Sequence, residues 1–206
     1  MSERTAEAVR GRYHHGDLRE ALISASTELV LARGAENFSL ADACRLAGVS
    51  TAAPYKHFRD RNEVLEIVIQ RGFTRMSDEG DVAVAGAGPG TFDAMIALNT
   101  HYVDFALENQ SLFRLMFGQN PELKTVEPVL KCGQECFGRV VAHFADYCRA
   151  QRIAEDPQAI CLRVWTFIHG LACLKMDEDY DAVSPGLDYH ALLIDTLPLL
   201  LKDRAA

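Results

Sequence analysis

The stretch Ser39–Phe58, SLADACRLAGVSTAAPYKHF, decides the fold. Ser39 can accept a hydrogen bond from a free backbone N–H and so cap a helix. Leu40, Ala43, Cys44 and Ala47 then fall at i, i+3, i+4 and i+7, one apolar stripe. Gly48 suits the left-handed position that ends a helix, and Val49 can pack inward behind it. Ser50 or Thr51 caps a second, short helix, with Pro54 near its first turn, where proline is least disruptive. The outer side of that helix displays Thr51, Ala52, Lys56 and Tyr55. Two helices joined by a glycine turn, the second presenting small and basic groups, predict a helix-turn-helix that fits a major groove. The bare pattern is also compatible with an ordinary helical hairpin.

Upstream, Gly16-Asp17 opens a first helix, with Asp17 as cap and Glu20 as its capping-box partner. Leu18, Leu22, Ala25 and Leu29 repeat at helical spacing, and Gly34 ends the element. Phe38 is placed to fill the space between this helix and the next pair. Arg10, Arg12, Tyr13, His14 and His15 form a basic-aromatic arm, which either follows phosphates and a minor groove or is a frayed tail. Downstream, Phe58 belongs to the core and Asp60 caps a long helix, with Glu63 in the reciprocal position. Val64, Leu65, Val68, Ile69, Phe73 and Met76 carry its apolar face to about Ser77. Glu79–Gly90, EGDVAVAGAGPG, reads as a linker; it lacks the lysine and hydroxyl of a phosphate loop and follows no strand.

From Thr91 the pattern is helical almost throughout. Phe92, Met95, Asn99, Tyr102, Val103 and Ala106 share one face, and Ser111–Phe117 is a short apolar helix ended by Gly118. Val126, Leu130, Phe137, Val140, Val141, Phe144 and Cys148 stripe a long helix to about Gln151. Pro157 starts the next, whose buried side holds Ile160, Val164, Phe167, Ile168 and Leu171. Asp177–Asp181 reads as a solvated loop, and 187–201 as the last helix, strained or shortened by Pro198. The expectation is therefore an all-α fold of about nine helices. It comprises a three-helix head over 12–60 that carries the helix-turn-helix and a larger helical domain over 61–206.

Composition sets bounds on function. The chain carries a net charge of −8. Up to Arg61 there are nine Lys/Arg against eight Asp/Glu, and after it twelve against twenty-one, so the acidity belongs to the second part. A DNA reader needs positive potential at its contact face only. No run of about 18 apolar residues and no apolar leader is visible, so a soluble cytoplasmic protein is expected. The six cysteines form no C-x-x-C, which points to buried thiols in a reducing compartment, although Cys132 and Cys136, one turn apart, leave a redox or metal pair open. There is no nucleophile elbow, zinc-protease motif, P-loop or dinucleotide fingerprint, so no enzyme, cofactor or metal is expected.

The segment AGVSTAAPYKHFRDRNEVL resembles the recognition segment of the TetR family of transcriptional regulators. The G-V-S turn, Tyr55, His57 and Phe58 as Y-x-H-F, and the charged restart before a long helix carry the likeness, and YHHGDLREALISASTELVLARGAENFSL resembles that family's opening. The close likeness spans roughly residues 12–78. Val164–Gly170, VWTFIHG, resembles the Trp/His/Gly motif of one C-terminal domain class among such regulators. The resemblance implies a homodimeric repressor on a palindromic operator, paired through its last two helices, about 157–175 and 187–201, with Leu192, Leu193, Leu197 and Leu200 as apolar surface. It implies phosphate contacts from Ser39, Tyr55, His57 and Arg61, joined by Arg12 and Tyr13 of the arm. Thr51, Ala52 and Ala53 are short enough to let the helix seat deeply, and Lys56 is long enough to reach guanine.

The resemblance also makes 61–206 the regulatory, ligand-binding and dimerisation domain and the head over 12–60 the DNA-binding one, and it implies a small apolar effector in the C-terminal domain. Tyr102, Phe105, Phe113, Met116, Phe117, Phe137, Phe144, Trp165 and His169 are candidates to line its pocket, or else form plain core. Asn99, His101 and Arg163 are candidates to orient it. The rival reading from another class is a helical adaptor without DNA binding, against which the Thr51–His57 constellation speaks.

Overall fold

The computed structural model describes residues 15–118 and 120–203. Among them the chain forms ten α-helices and one 3-10 turn, with no strand. It divides into two compact units, the first ending at Val68 and the second beginning at Ile69.

The first unit holds α1 (His15–Arg33), α2 (Leu40–Leu46), a 3-10 turn (Pro54–Lys56) and the start of α3 (Arg61–Ala87). Helix α1 already includes Gly16 and Asp17, so its first turn lies earlier than the sequence suggests. Its buried side is Leu22, Ile23, Ala25, Leu29 and Val30, packed into one core with Phe38, Ala43, Cys44, Phe58, Val64 and Leu65. Ser39 caps α2, its hydroxyl accepting from the Asp42 N–H at 3.1 Å. Gly48, at φ 69°, closes α2: Val49 N–H donates to Cys44 C=O at 2.9 Å and Gly48 N–H to Arg45 C=O at 3.2 Å. That pair of bonds is a Schellman ending, and it uses the conformation glycine adopts without a Cβ penalty.

The expected second short helix is a single 3-10 turn and not an α-helix. Residues 51–53 run as turns and bend into the single 3-10 turn Pro54–Lys56. Pro54 has no N–H to give to Ser50, so the chain closes with tighter bonds: Ala53 N–H to Ser50 C=O at 3.0 Å and His57 N–H to Pro54 C=O at 2.8 Å. Pro54 and Phe58 are buried and pin the turn at both ends.

Helix α3 does not stop at Ser77 but continues through the expected linker to Ala87. Alanine is the best helix former, Val84 is buried, and Asp81 is held by Arg139 and His143, so the glycines there do not break it. A Cβ on Gly80 would sit 3.3 Å from Leu98, so this glycine serves close packing.

The second unit adds α4 (Phe92–Glu108), α5 (Gln110–Phe117), α6 (Pro121–Lys124), α7 (Glu127–Gln151), α8 (Pro157–Met176), α9 (Asp179–Val183) and α10 (Tyr189–Leu200). Thr91, Asp156 and Asp188 cap α4, α8 and α10 with side-chain oxygens. Helix α8 packs against α4, α7 and α10 and is the axis of this unit. It is long and apolar enough, at a mean hydropathy of 1.4, to cross a membrane by composition alone, a property that a core helix shares. The acidic run does not stay a loop: α9 covers Asp179–Val183, with Lys175 paired to Asp181 at 3.2 Å. Helix α10 continues through Pro198 to Leu200. Leu193 and Leu197 are 0% exposed within the chain's own core, so they supply no free surface; Ile194 and Leu199 point outward instead.

Arg61 ties the first unit together. Its Nε donates to Phe38 C=O at 2.9 Å, its Nη2 donates to Ala35 C=O, and its guanidinium lies 5.5 Å from the Phe38 ring centre. Arg61→Ala is therefore expected to destabilise the ligand-free, DNA-free protein by about 1–3 kcal/mol, read as a fall of several degrees in Tm. An unchanged Tm would mean that the guanidinium is not structural.

Candidate nucleic-acid interface and ligand cavity

The first candidate site is the turn after Gly48. Thr51, Ala52, Tyr55 and Lys56 are exposed, Tyr55 by 69%, while Ala53 and His57 are half-buried. Tyr55 and Lys56 are thus brought to one exposed turn with two small residues. Ser39 is engaged by α2: its hydroxyl also donates to Asp42 Oδ2 at 2.7 Å, and this bond holds the Asp42 carboxyl below its ordinary pKa. Arg61 is bound to the α1–α2 connection, as described. Arg12 and Tyr13, with Arg10 and His14 of the expected arm, lie outside the described residues, and His15 is the first residue of α1.

The second candidate is a cavity of about 410 Å³ inside the second unit, walled by α3, α4, α5, α6, α7 and α8. Of the residues expected to line a pocket, Tyr102, Met116, Phe117, Phe137, Phe144 and Trp165 are at its wall. Phe105 and Phe113 are among the most deeply buried side chains and lie outside that wall. Phe113 instead packs edge-on against Tyr102 at 5.6 Å.

His169 lies behind the wall, in a hydrogen-bonded chain. The Trp165 indole can only donate, and it gives its N–H to Tyr102 Oη at 3.0 Å. The Tyr102 hydroxyl proton is then directed at His169 Nδ1, 2.8 Å away. This leaves His169 protonated at Nε2, beside Cys173 Sγ at 3.7 Å. Burial raises the Tyr102 pKa well above the ordinary phenol value, so the hydroxyl stays neutral. Burial, with the Lys124 charge, lowers that of His169.

At another part of the wall, Arg139, Asp81 and His143 form one ion cluster that also reaches Asp78. Arg139 Nη2 is 2.8 Å from Asp78 Oδ1, and His143 Nε2 is 2.7 Å from Asp81 Oδ1. Burial would raise the Asp81 pKa, but Arg139 and His143 outweigh it and hold the carboxyl low. Sequence reading missed this cluster. The i, i+3 and i, i+4 spacings of Asp78/Asp81 and Arg139/His143 were its only signal. Arg163 is no wall residue: it donates to Glu155 Oε1 at 2.7 Å and Leu200 C=O at 2.8 Å, fastening α8 to the end of α10. All six cysteines are free thiols; burial raises the pKa of both Cys132 and Cys136, and that of Cys161 up to about 12. Among the described residues no group of three or more His, Cys, Asp or Glu could hold a metal ion.

Comparison with known proteins bears on both sites. The family described as "Tetracyclin repressor-like, C-terminal domain" matches residues 95–197, half of the chain. The chain belongs to the TetR family. A solved protein of unknown function from Rhodococcus sp. RHA1 is 29% identical, with 93% of this chain and 97% of that one covered at a TM-score of 0.79. A TetR/AcrR-family transcriptional regulator from Thermobifida fusca YX-ER1 (21% identity, 92% and 100% covered, TM-score 0.61) shares the fold. So does the fatty acid degradation regulator FadR from Bacillus halodurans (14%, 91% and 96%, TM-score 0.66). No curated protein matches the chain. TetR-family regulators bind DNA and act as dimers.

The His169 geometry makes acid stability testable. Because folding lowers the His169 pKa, the unfolded chain takes up the proton first, and stability falls as pH drops below the ordinary value of 6.5. His169→Asn, which can keep an acceptor for Tyr102, is expected to flatten the stability loss just below that pH in denaturant titrations. An unchanged slope would assign the acid sensitivity to another group.

Proposed function

We propose that this TetR-family protein is a sequence-specific DNA-binding transcriptional regulator, a ligand-responsive repressor that binds a palindromic operator as a homodimer. One observation carries the reading: between buried Pro54 and buried Phe58, the chain turns Tyr55 and Lys56 outward beside the short Thr51 and Ala52. Small residues let a backbone approach base edges, a lysine reaches guanine, and a phenol hydroxyl suits a phosphate. The DNA-binding head is assigned to 12–60 and the effector and dimerisation domain to 61–206. In this role the protein works in the cytoplasm, beside its operator, and needs no catalytic group.

The dimer is assigned to the outer faces of α8 and α10. Leu162, Leu174, Ile194 and Leu199 are exposed by 42–66%, an apolar set that a twofold partner would cover. Two half-sites about 34–36 Å apart, or a multiple, then give the length of sequence one head lacks. The effector is assigned to the cavity. Helix α3 supplies cavity-wall residues from Phe73 onward and, in one uninterrupted helix, the residues Val64 and Leu65 of the first unit's core. A coupling of about 1–3 kcal/mol through it would change operator affinity five- to 150-fold.

Lys56→Ala is expected to weaken operator binding by about 1–3 kcal/mol while leaving random-sequence DNA nearly unaffected, measured by fluorescence anisotropy at one salt concentration. Equal losses on both DNAs would make Lys56 a phosphate contact. The double variant Ile194→Glu/Leu199→Glu is expected to sediment as a helical monomer at micromolar concentration and to lose operator binding. A dimer that persists in this variant would move the interface elsewhere.

A further inference from the structure

The chemistry of the cavity wall narrows what it can hold, taking the cavity as the effector site proposed above. Its surface is made mainly by rings and thioethers, among them Phe73, Met76, Met116, Phe117, Phe137 and Trp165. Each charged group at the wall is occupied. Asp81 and Arg139 neutralise each other, His143 bonds the same carboxylate, and Asp78, with 62% of its side chain exposed, keeps its charge in water. Lys124 is exposed and donates to Phe117 C=O. A carboxylate ligand would meet no uncompensated cation in a low-dielectric space, and an exposed lysine contributes little there.

Of the neutral polar groups at the wall, Ser77 pairs with the Cys136 thiol and Gln134 is exposed to water, which leaves Tyr102, His101 and Asn99. Tyr102 Oη both accepts and donates. His101 Nε2 faces Met76 C=O at 3.0 Å, which can only accept, so that nitrogen carries the proton. Asn99 Nδ2 donates to Met95 C=O at 2.7 Å, and this fixes which way the amide faces. Its Oδ1 accepts from no described residue, although Asn99 is only 2% exposed and forms part of the wall. His101 is half-buried and open to water, whereas Asn99 Oδ1 is not sealed off and, in a residue so little exposed, opens on the cavity. Such an oxygen is served by water or by a ligand, and a ligand that brings a donor gains that bond.

We infer that the cavity takes an uncharged, largely apolar ring compound carrying a single hydrogen-bond donor, a hydroxyl or N–H, which Asn99 Oδ1 accepts. A methyl ether of the same shape leaves that oxygen unpaired, and a site built around such a bond rejects the analogue lacking it.

The chain has one tryptophan, Trp165, and it is at the cavity wall, so its fluorescence reports occupancy directly. Propylbenzene, para-propylphenol, para-propylanisole and para-propylbenzoate are titrated into the full-length protein without DNA. The phenol is expected to bind about tenfold tighter than the anisole, with the benzoate weakest. Asn99→Leu should reduce the phenol-to-anisole ratio to near one while retaining propylbenzene. If that variant does not fold, the ratio in the unaltered protein decides, and a ratio of one overturns the inference. A benzoate that binds tightest, and loses its advantage in Lys124→Ala, overturns it in favour of an anionic ligand. Failure of all four probes at millimolar concentration also overturns it. The DNA-binding reading is untouched by these outcomes, because it is measured as operator affinity of the ligand-free protein.

Discussion

One phenol hydroxyl, held between an indole N–H and an imidazole nitrogen, governs the character of the second unit. Tyr102 comes from α4, and Trp165 and His169 come from successive turns of α8. All three carry polar atoms into a region otherwise filled by Phe113 and Phe117. Unpaired, each of those atoms would cost on the order of 1–3 kcal/mol. Paired in series, they satisfy one another. The wall is apolar because its polar atoms are committed elsewhere, not because polar residues are missing.

A similar economy shapes the exposed turn of the first unit. Ala52 and Ala53 would favour an α-helix on propensity, but Pro54 removes the N–H that a fourth-residue bond needs. The chain answers with 3-10 geometry, three residues per turn, which sets Tyr55 and Lys56 outside while Pro54 and Phe58 stay inside. The proline that breaks the helix is also one of its two anchors. Phosphate contacts expected of Ser39 and Arg61 meet the same logic from the other side: both side chains already satisfy backbone groups or a neighbouring carboxylate.

Sequence reading succeeded where a signal is local. The Ser39 cap, the Leu40/Ala43/Cys44 stripe and the Gly48 ending depend on residues within one or two turns, and each is found in the structure. The resemblance of the following segment to TetR regulators correctly anticipated family and fold. Reading failed where tertiary partners override local punctuation. The glycines of GDVAVAGAG suggested a linker, but Arg139 and His143, some sixty positions away, hold Asp81 in a helix. On α10, leucines four apart were assigned outward, though an amphipathic stripe does not say which of its neighbours covers it; α4 and α8 do. The vacancy at Asn99 Oδ1 was likewise illegible, because it follows from what every surrounding group already does.

Glycine placement in α3 links these points. A glycine inside a helix costs about 1 kcal/mol relative to alanine, so its presence requires a compensating gain. At Gly72 a Cβ would come within 2.6 Å of Met116 Sδ, and at Gly80 within 3.3 Å of Leu98 Cδ1. Both neighbours are cavity-wall residues. The Met116 and Leu98 side chains therefore reach the α3 backbone at two points about two turns apart, with no α3 side chain between. Filling the cavity and moving Met116 or Leu98 would load the helix itself rather than a flexible side chain. Close-packed interiors transmit such strain instead of dissipating it. Under the regulatory reading this gives α3 a physical reason to carry glycine where alanine would make a more stable helix.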